Sequence, residues 1–244
     1  MASFGAIAPF YDELMRTVPY RMWTGYYLLL LSQQGARPKK VLDVCCGTGV
    51  MAEMLAREGL EVTGVDLSQP MIDEARRKAA RKRLDLRYEC QDAASMELNE
   101  EFDAAYSFFD SFNYVTDPSQ LQSALVRISK HLVPGGSLVF DLNTAYAFEA
   151  ELFDQRQLGR NAKVRYDWKG HWDPSTRLIR VDMRFWKGDR EYHEEHWQRA
   201  YSDGEIRGML AAAGFENVGV YHSYTLDPPR PKSDRVHYTA LKAR

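Results

Sequence analysis

Val41-Leu-Asp-Val-Cys-Cys-Gly-Thr-Gly-Val50 decides how this chain folds. A short apolar run, Val41 to Cys45, stops at a turn holding Gly47 and Gly49, and a helical pattern starts directly after it. That order predicts strand, tight turn, helix. Glycines there let a ligand approach the backbone where a side chain would collide, and the first N–H groups of the helix face it. A nucleotide-like cofactor is the usual guest at the first strand–helix turn of a parallel sheet. A Gly-x-Gly by itself also serves tight turns for steric reasons alone.

On either side of this stretch the pattern alternates. Residues 7–34 read as helical, divided by Pro19, and Gly35 to Lys40 ends that segment. After the glycine turn come a helix over 49–58, a strand over Val62 to Asp66, a helix over 69–83 and a strand near Leu86 to Cys90. A strand over Phe102 to Phe109, a helix over Ser119 to His131 and a strand over Ser137 to Leu142 follow, with Pro134-Gly-Gly136 between the last two. Strands alternating with helices at this spacing predict a parallel, doubly wound sheet covered on both faces. From about Leu158 the period changes to two. Lys163–Trp172, Leu178–Trp186 and Arg190–Tyr201 read as an antiparallel meander with turns at Asp173-Pro174 and Gly188-Asp189. A helix over Asp203–Ala213 and two strands, Val218–Tyr224 and Val236–Leu241, close the chain around a Pro-rich loop. The expected division is a helical cap (1–36), a cofactor-binding core (37–158), an antiparallel insertion (159–202) and a closing segment of the core (203–244).

The 244 residues suffice for one large domain with an embellishment, and 45% apolar against 27% charged residues suits a chain that buries a substantial core. A formal net charge of −2 argues against a protein held to nucleic acid by bulk charge. Arg76 to Arg83 is a basic run, but it falls in the last turns of a helix, where cations face the negative end of the dipole; a solvated helix end is expected. The longest apolar run, Tyr26 to Leu31, is too short to span a bilayer, and the N-terminus lacks a secretory pattern. Three cysteines, two of them adjacent, give neither a disulfide framework nor zinc spacing. A cytoplasmic setting is the expectation.

Two acidic residues extend the glycine-loop reading. Asp66, 17 residues after Gly49, ends the second strand, where a carboxylate accepts from ribose hydroxyls; its alternative is a helix N-cap, a place Ser68 suits better. Asp92 in Gln91-Asp-Ala93 ends the third strand, where it can receive an exocyclic adenine amine.

With these residues in place the chain resembles the class I S-adenosylmethionine-dependent methyltransferases. The matching segments are Leu42 to Gly49, Val62-Thr-Gly-Val-Asp-Leu-Ser68 with Met71-Ile72, Gln91-Asp-Ala93, Leu132-Val-Pro-Gly-Gly-Ser-Leu-Val-Phe140 and Ala213-Gly-Phe215. The resemblance implies an α/β, doubly wound, Rossmann-like sheet of seven strands with a reversed edge strand, a helical cap and a β insertion. It implies S-adenosyl-L-methionine as cofactor, with Asp43, Cys45, Gly47, Thr48 and Gly49 at its amino-acid end. Asp66 would take the ribose, Leu67 and Met71 the adenine faces, and Asp92 with Ala93 the adenine edge; Phe108, Tyr11 and Trp23 complete the set. Cys45 stands where the family has its first glycine. A reactive-thiol role for Cys45 or Cys46 is a weaker alternative to packing. A closer resemblance is to bacterial small-molecule methyltransferases with a Tyr-Asp-x-Leu-Met start and a late insertion. It rests on Tyr11 to Met15, Phe109-Asp-Ser-Phe-Asn-Tyr114 and His196-Trp-Gln-Arg-Ala-Tyr201.

The acceptor is expected beyond the carboxyl ends of the strands. Tyr114, Tyr11, His196 and Asp110 are the catalytic candidates, and Asn113, Asn143, Tyr146, Trp168 and Arg199 the acceptor-binding ones. For Asp110 and Tyr114 the alternative is a turn and a packing role. The Phe109–Tyr114 segment is not the Asn/Asp-Pro-Pro-Tyr/Phe signature of nucleic-acid N-methylation. His193 and His196 fall on opposite faces of a strand and make a poor metal pair, so no metal is expected. Four of the five tryptophans lie in the insertion, which reads as an active-site roof or a dimer face. The reading is methyl transfer to nitrogen or oxygen of a small molecule by a monomer or homodimer without a membrane partner. Nucleic-acid or protein methylation, an NAD-dependent oxidoreductase and a non-catalytic cofactor-binding module are the alternatives.

Overall fold

The computed structural model describes residues 4–159 and 161–244. In chain order it has α1 (Tyr11–Leu14), α2 (Tyr20–Gln33), β1 (Lys40–Val44), α3 (Val50–Arg57), β2 (Glu61–Asp66), α4 (Gln69–Lys82), β3 (Arg87–Cys90), β4 (Phe102–Ser107), α5 (Pro118–His131), β5 (Leu132–Asn143) and α6 (Ala145–Glu149). There follow β6 (Gln155–Gln157), β7 (Arg165–Asp173), β8 (Leu178–Lys187), β9 (Arg190–Arg199), α7 (Asp203–Ala212), β10 (Phe215–His222) and β11 (Arg235–Lys242).

Seven strands form one sheet in the order β10-β11-β5-β4-β1-β2-β3. β1 pairs in parallel with β2 and β4, as a strand buried on both faces should, while β11 runs antiparallel to β5 and β10. The reversed strand thus lies one place in from the outermost β10. Alternation along β1 sends Leu42 and Val44 to the face covered by α5 and α7, and Val41 to the face covered by α2, α3 and α4. Asp43 shares that second face. α7 starts on a full capping box between Ser202 and Glu205, which ties down the N–H groups that the helix leaves free.

Several details depart from the sequence expectation. β5 begins at Leu132 and absorbs Pro134-Gly-Gly136 as an irregularity against β4, so it is longer than the predicted strand. β4 stops at Ser107; Phe109 and Asp110 take left-handed φ of 71° and 50°, and a 3-10 turn spans Ser111–Tyr114. The short β6 and α6 carry too little periodicity to be read from sequence. Lys78, in the basic run expected to be solvated, is 3% exposed and paired with Asp12 and Glu53, while Lys82 also meets Glu53.

A second, antiparallel sheet has the order β6-β7-β8-β9. β8 turns Ile179, Val181, Met183 and Phe185 inward, where they pack with Ile7, Phe10, Tyr11 and Met15 of the N-terminal segment. The cap and the insertion therefore share one apolar core. Among the described residues no helix is long and apolar enough to cross a membrane.

Candidate active site

A cavity of about 620 Å³ opens at the carboxyl ends of β1, β2 and β4, within the size range of small-molecule and cofactor sites. Its floor is the glycine turn. Its walls include Tyr11, Tyr20 and Trp23 from the cap, and Tyr166, Trp168 and Met183 from the insertion.

The turn has the conformation its residues require. Gly47 and Gly49 have φ of +54° and +76°, and Cys45, at the position of the family's first glycine, is also left-handed at +61°. The two glycines differ in purpose. A Cβ on Gly47 would meet nothing within 4 Å and would project into the cavity that Gly47 lines, whereas a Cβ on Gly49 would collide with the Tyr88 ring. Gly49 answers to packing; it does not line the cavity.

Asp66 holds this loop. Its Oδ2 accepts from the Gly47 N–H at 2.8 Å and its Oδ1 from the Ser68 N–H at 2.8 Å, leaving further lone pairs toward the cavity. Ser68 occupies the N-cap place of α4, but its hydroxyl makes no capping bond and is buried without a partner. Burial raises the Asp66 carboxyl above its ordinary value, against the two N–H donors. Asp43, 4% exposed, lines the cavity beside the Tyr106 hydroxyl; burial is the main cause that pushes its carboxyl up to about 8. No described cation pairs with it. A buried carboxylate that lacks a positive partner, above a turn with space for a ligand, fits the ammonium end of S-adenosylmethionine. Burial pushes both Cys45 and Cys46 thiols up, so they stay protonated and suit packing rather than nucleophilic chemistry.

Thr48, Leu67, Met71, Asp92, Ala93 and Phe108 line the same cavity, as do Tyr114, Asp110, Asn143 and Trp168. Leu67 is 59% exposed at its rim, and the Asp92 carboxylate accepts from the Ala94 N–H at 2.9 Å. Thr48 donates to Asp12 at 2.5 Å, tying the glycine turn to α1. Four candidates do their work outside the cavity wall. The Asn113 amide donates to the Asn143 and Arg199 carbonyls and accepts from the Asn143 N–H, which clasps the ends of β5 and β9 together. Arg199 lies over Tyr201 and near Glu205, and Tyr146 sits half-buried on α6. His196 is buried behind Tyr114.

Sequence reasoning missed Arg235, whose guanidinium bonds to Asp110 at 2.7 Å and also to Asp141, beside the Gln198 amide that donates to Asp110 at 2.8 Å. It also missed Phe4, whose ring lies edge-on to Tyr11 and Tyr114 at 5.3 and 5.7 Å. A cation opening the last strand is unremarkable until the fold brings it beneath Asp110.

A methyltransferase-domain family profile matches residues 41–136. A methyltransferase-family protein of Geobacillus sp. (strain WCH70) is 30% identical over 98% of this chain and 100% of its own length. The chain belongs to the class I S-adenosylmethionine-dependent methyltransferases. The crystal structure of an S-adenosylmethionine-dependent methyltransferase from Clostridium acetobutylicum matches this methyltransferase with a TM-score of 0.86 at 27% identity, over 99% of both chains. The S-adenosylmethionine-bound structure of CalS10, an amino pentose methyltransferase from Micromonospora echinaspora, has the same fold at 22% identity. Its TM-score is 0.75, over 93% of each chain. The cofactor of this methyltransferase is S-adenosylmethionine.

Proposed function

We propose that this methyltransferase methylates a nitrogen or oxygen of a small molecule enclosed between the glycine turn, the cap and the insertion. The observation that carries the reading is the enclosure itself: Tyr11, Tyr166, Trp168 and Met183 of the chain's own cap and insertion wall the cavity. These walls leave the reacting centre to a compact acceptor. The amino pentose acceptor class of CalS10 is consistent with such a pocket.

When bound, S-adenosylmethionine supplies an electrophilic methyl group on a sulfonium. In this reading Asp43 and the Gly47–Thr48 backbone hold its amino-acid end, Asp66 its ribose, Leu67 and Met71 the adenine faces, and Asp92 with Ala93 the adenine edge. Phe108 and Trp23 close the apolar wall. Tyr11 and Tyr114, both edge-on to the Phe4 ring, present phenols to the reacting centre, where the protein aligns the nucleophile and excludes water. The insertion, with Trp168, acts as the lid.

The test is a methyl-transfer screen with labelled S-adenosylmethionine over amines, phenols and amino sugars, with oligonucleotides and peptides in parallel. Product from one small-molecule class supports the reading. Transfer to a polymer alone would overturn it.

A further inference from the structure

β9 turns Glu194, His196 and Gln198 to the side on which β8 presents Val181 and Met183. Polar groups on a face that otherwise buries apolar side chains cost free energy unless they are bonded. Two of them are bonded in a line. His196, 1% exposed, has Nε2 2.7 Å from Glu194 Oε2 and Nδ1 3.2 Å from the Tyr114 hydroxyl. A carboxylate only accepts, so Nε2 carries the ring proton. In the neutral ring Nδ1 is then an acceptor and Tyr114 donates to it. Glu194 Oε2 also accepts from the Phe4 N–H at 2.9 Å, and the Phe4 ring stands edge-on to His196 at 4.3 Å. The line ends at the cavity, because Tyr114 lines it.

We propose that Tyr114, His196 and Glu194 form a proton relay for methyl transfer, in which Glu194 is the positioning residue that sets the His196 tautomer. The relay rests on the small-molecule reading above and narrows it to acceptors whose nucleophile sheds a proton, a hydroxyl or an N–H. The acceptor lone pair forms the new bond to the methyl carbon, and the carbon–sulfur bond breaks with its electron pair going to sulfur. The acceptor proton passes to the Tyr114 oxygen as the Tyr114 proton passes to His196 Nδ1. The resulting imidazolium stands against the Glu194 carboxylate. The Phe4 N–H holds the same Glu194 oxygen, and the Phe4 ring covers the imidazole.

The tautomer is measurable without an acceptor. In the full chain labelled with 15N-histidine and saturated with S-adenosylhomocysteine, the His196 signals are identified by their loss in His196→Gln. The expected spectrum is the Nε2–H form in the wild type, shifting toward Nδ1–H in Glu194→Gln, whose amide can donate. An Nδ1–H ring in the wild type overturns the relay, whether or not any variant folds. Two probes of similar size then test the chemistry at pH 8: phenol, which must lose a proton, and N,N-dimethylaniline, which has none to lose. Glu194→Gln should lower kcat for phenol roughly 100-fold, the scale of general-base assistance, with KM and the N,N-dimethylaniline rate little changed. Equal losses with both probes, or no loss with phenol, overturn it. If neither probe is methylated, the same comparison is made on the acceptor that the screen finds, against its analogue with no proton to lose; the tautomer is read independently of either.

Discussion

The Asp66 carboxylate accepts a hydrogen bond from the Gly47 backbone N–H at 2.8 Å, so the residue assigned to the ribose also shapes the turn beneath the cofactor. Asp66→Ala should therefore weaken S-adenosylhomocysteine binding by about 1–3 kcal/mol, because charge-assisted bonds to ligand and loop go together. Asp66→Asn keeps one acceptor oxygen and should fall between. Titration calorimetry on folded variants checks this; unchanged affinity in the alanine variant would remove Asp66 from the ribose.

Gly47 sits at φ +54° with open space beyond its missing Cβ. Gly47→Val puts a β-branched side chain in a left-handed conformation and fills the cavity floor, so cofactor binding should be lost. Normal binding by this variant would make the turn purely structural.

Asp43 has its carboxyl pushed up to about 8, first by burial and further by Asp66. Below that pH the apo site is mostly neutral, and pairing with the cofactor ammonium requires it to ionise. Cofactor binding at pH 7 should thus release a proton, and affinity should rise between pH 6 and 8. Calorimetry in buffers of different ionisation enthalpy reads the release, which Asp43→Asn should abolish. The stability sign is the reverse. A folded value above the unfolded one, about 4, gives stability that is present below pH 4 and lost as pH rises toward 8. At pH 8 and above, Asp43→Asn should melt higher than the wild type.

Arg235 is the cation that Asp110 and Asp141 share in the interior. Arg235→Met leaves two buried carboxylates without it and should cost about 3–5 kcal/mol in urea unfolding. Adding Asp110→Asn should recover part of that loss. A single variant as stable as the wild type would show that the cluster is hydrated.

Tyr11 and Tyr114 both line the cavity, but only Tyr114 has a protein partner among the described residues, His196. Tyr11→Phe and Tyr114→Phe should each lower methyl transfer by about tenfold or more while cofactor affinity changes little, since the contact is made at the reacting centre. Comparison of kcat with the S-adenosylhomocysteine dissociation constant decides it. Wild-type kcat in both would reduce these tyrosines to packing.

Much of the fold is legible along the chain because its signals are local. Val41 to Gly49 states strand and turn; period-two alternation over residues 178–199 states the meander. Elements with no period of their own, β6 and α6, are not legible. Neither is the strand through Pro134-Gly-Gly136, where turn residues are carried as an irregularity by pairing with β4. Ser68 has the composition of a cap, yet its N–H is taken by Asp66 and its hydroxyl is left unbonded.

The sequence by itself determined the alternation of strands and helices and the glycine turn, since these rest on residues close together in the chain, and its resemblance to a family implied the cofactor. Only the tertiary structure decided which polar groups meet. Arg235 reaches Asp110 across 125 positions, His196 reaches Tyr114 across 82, and Glu194 reaches Phe4 across 190. Such pairs leave no periodic trace. What selects them is burial: a charged or polar group taken out of water must find a partner in the fold that encloses it.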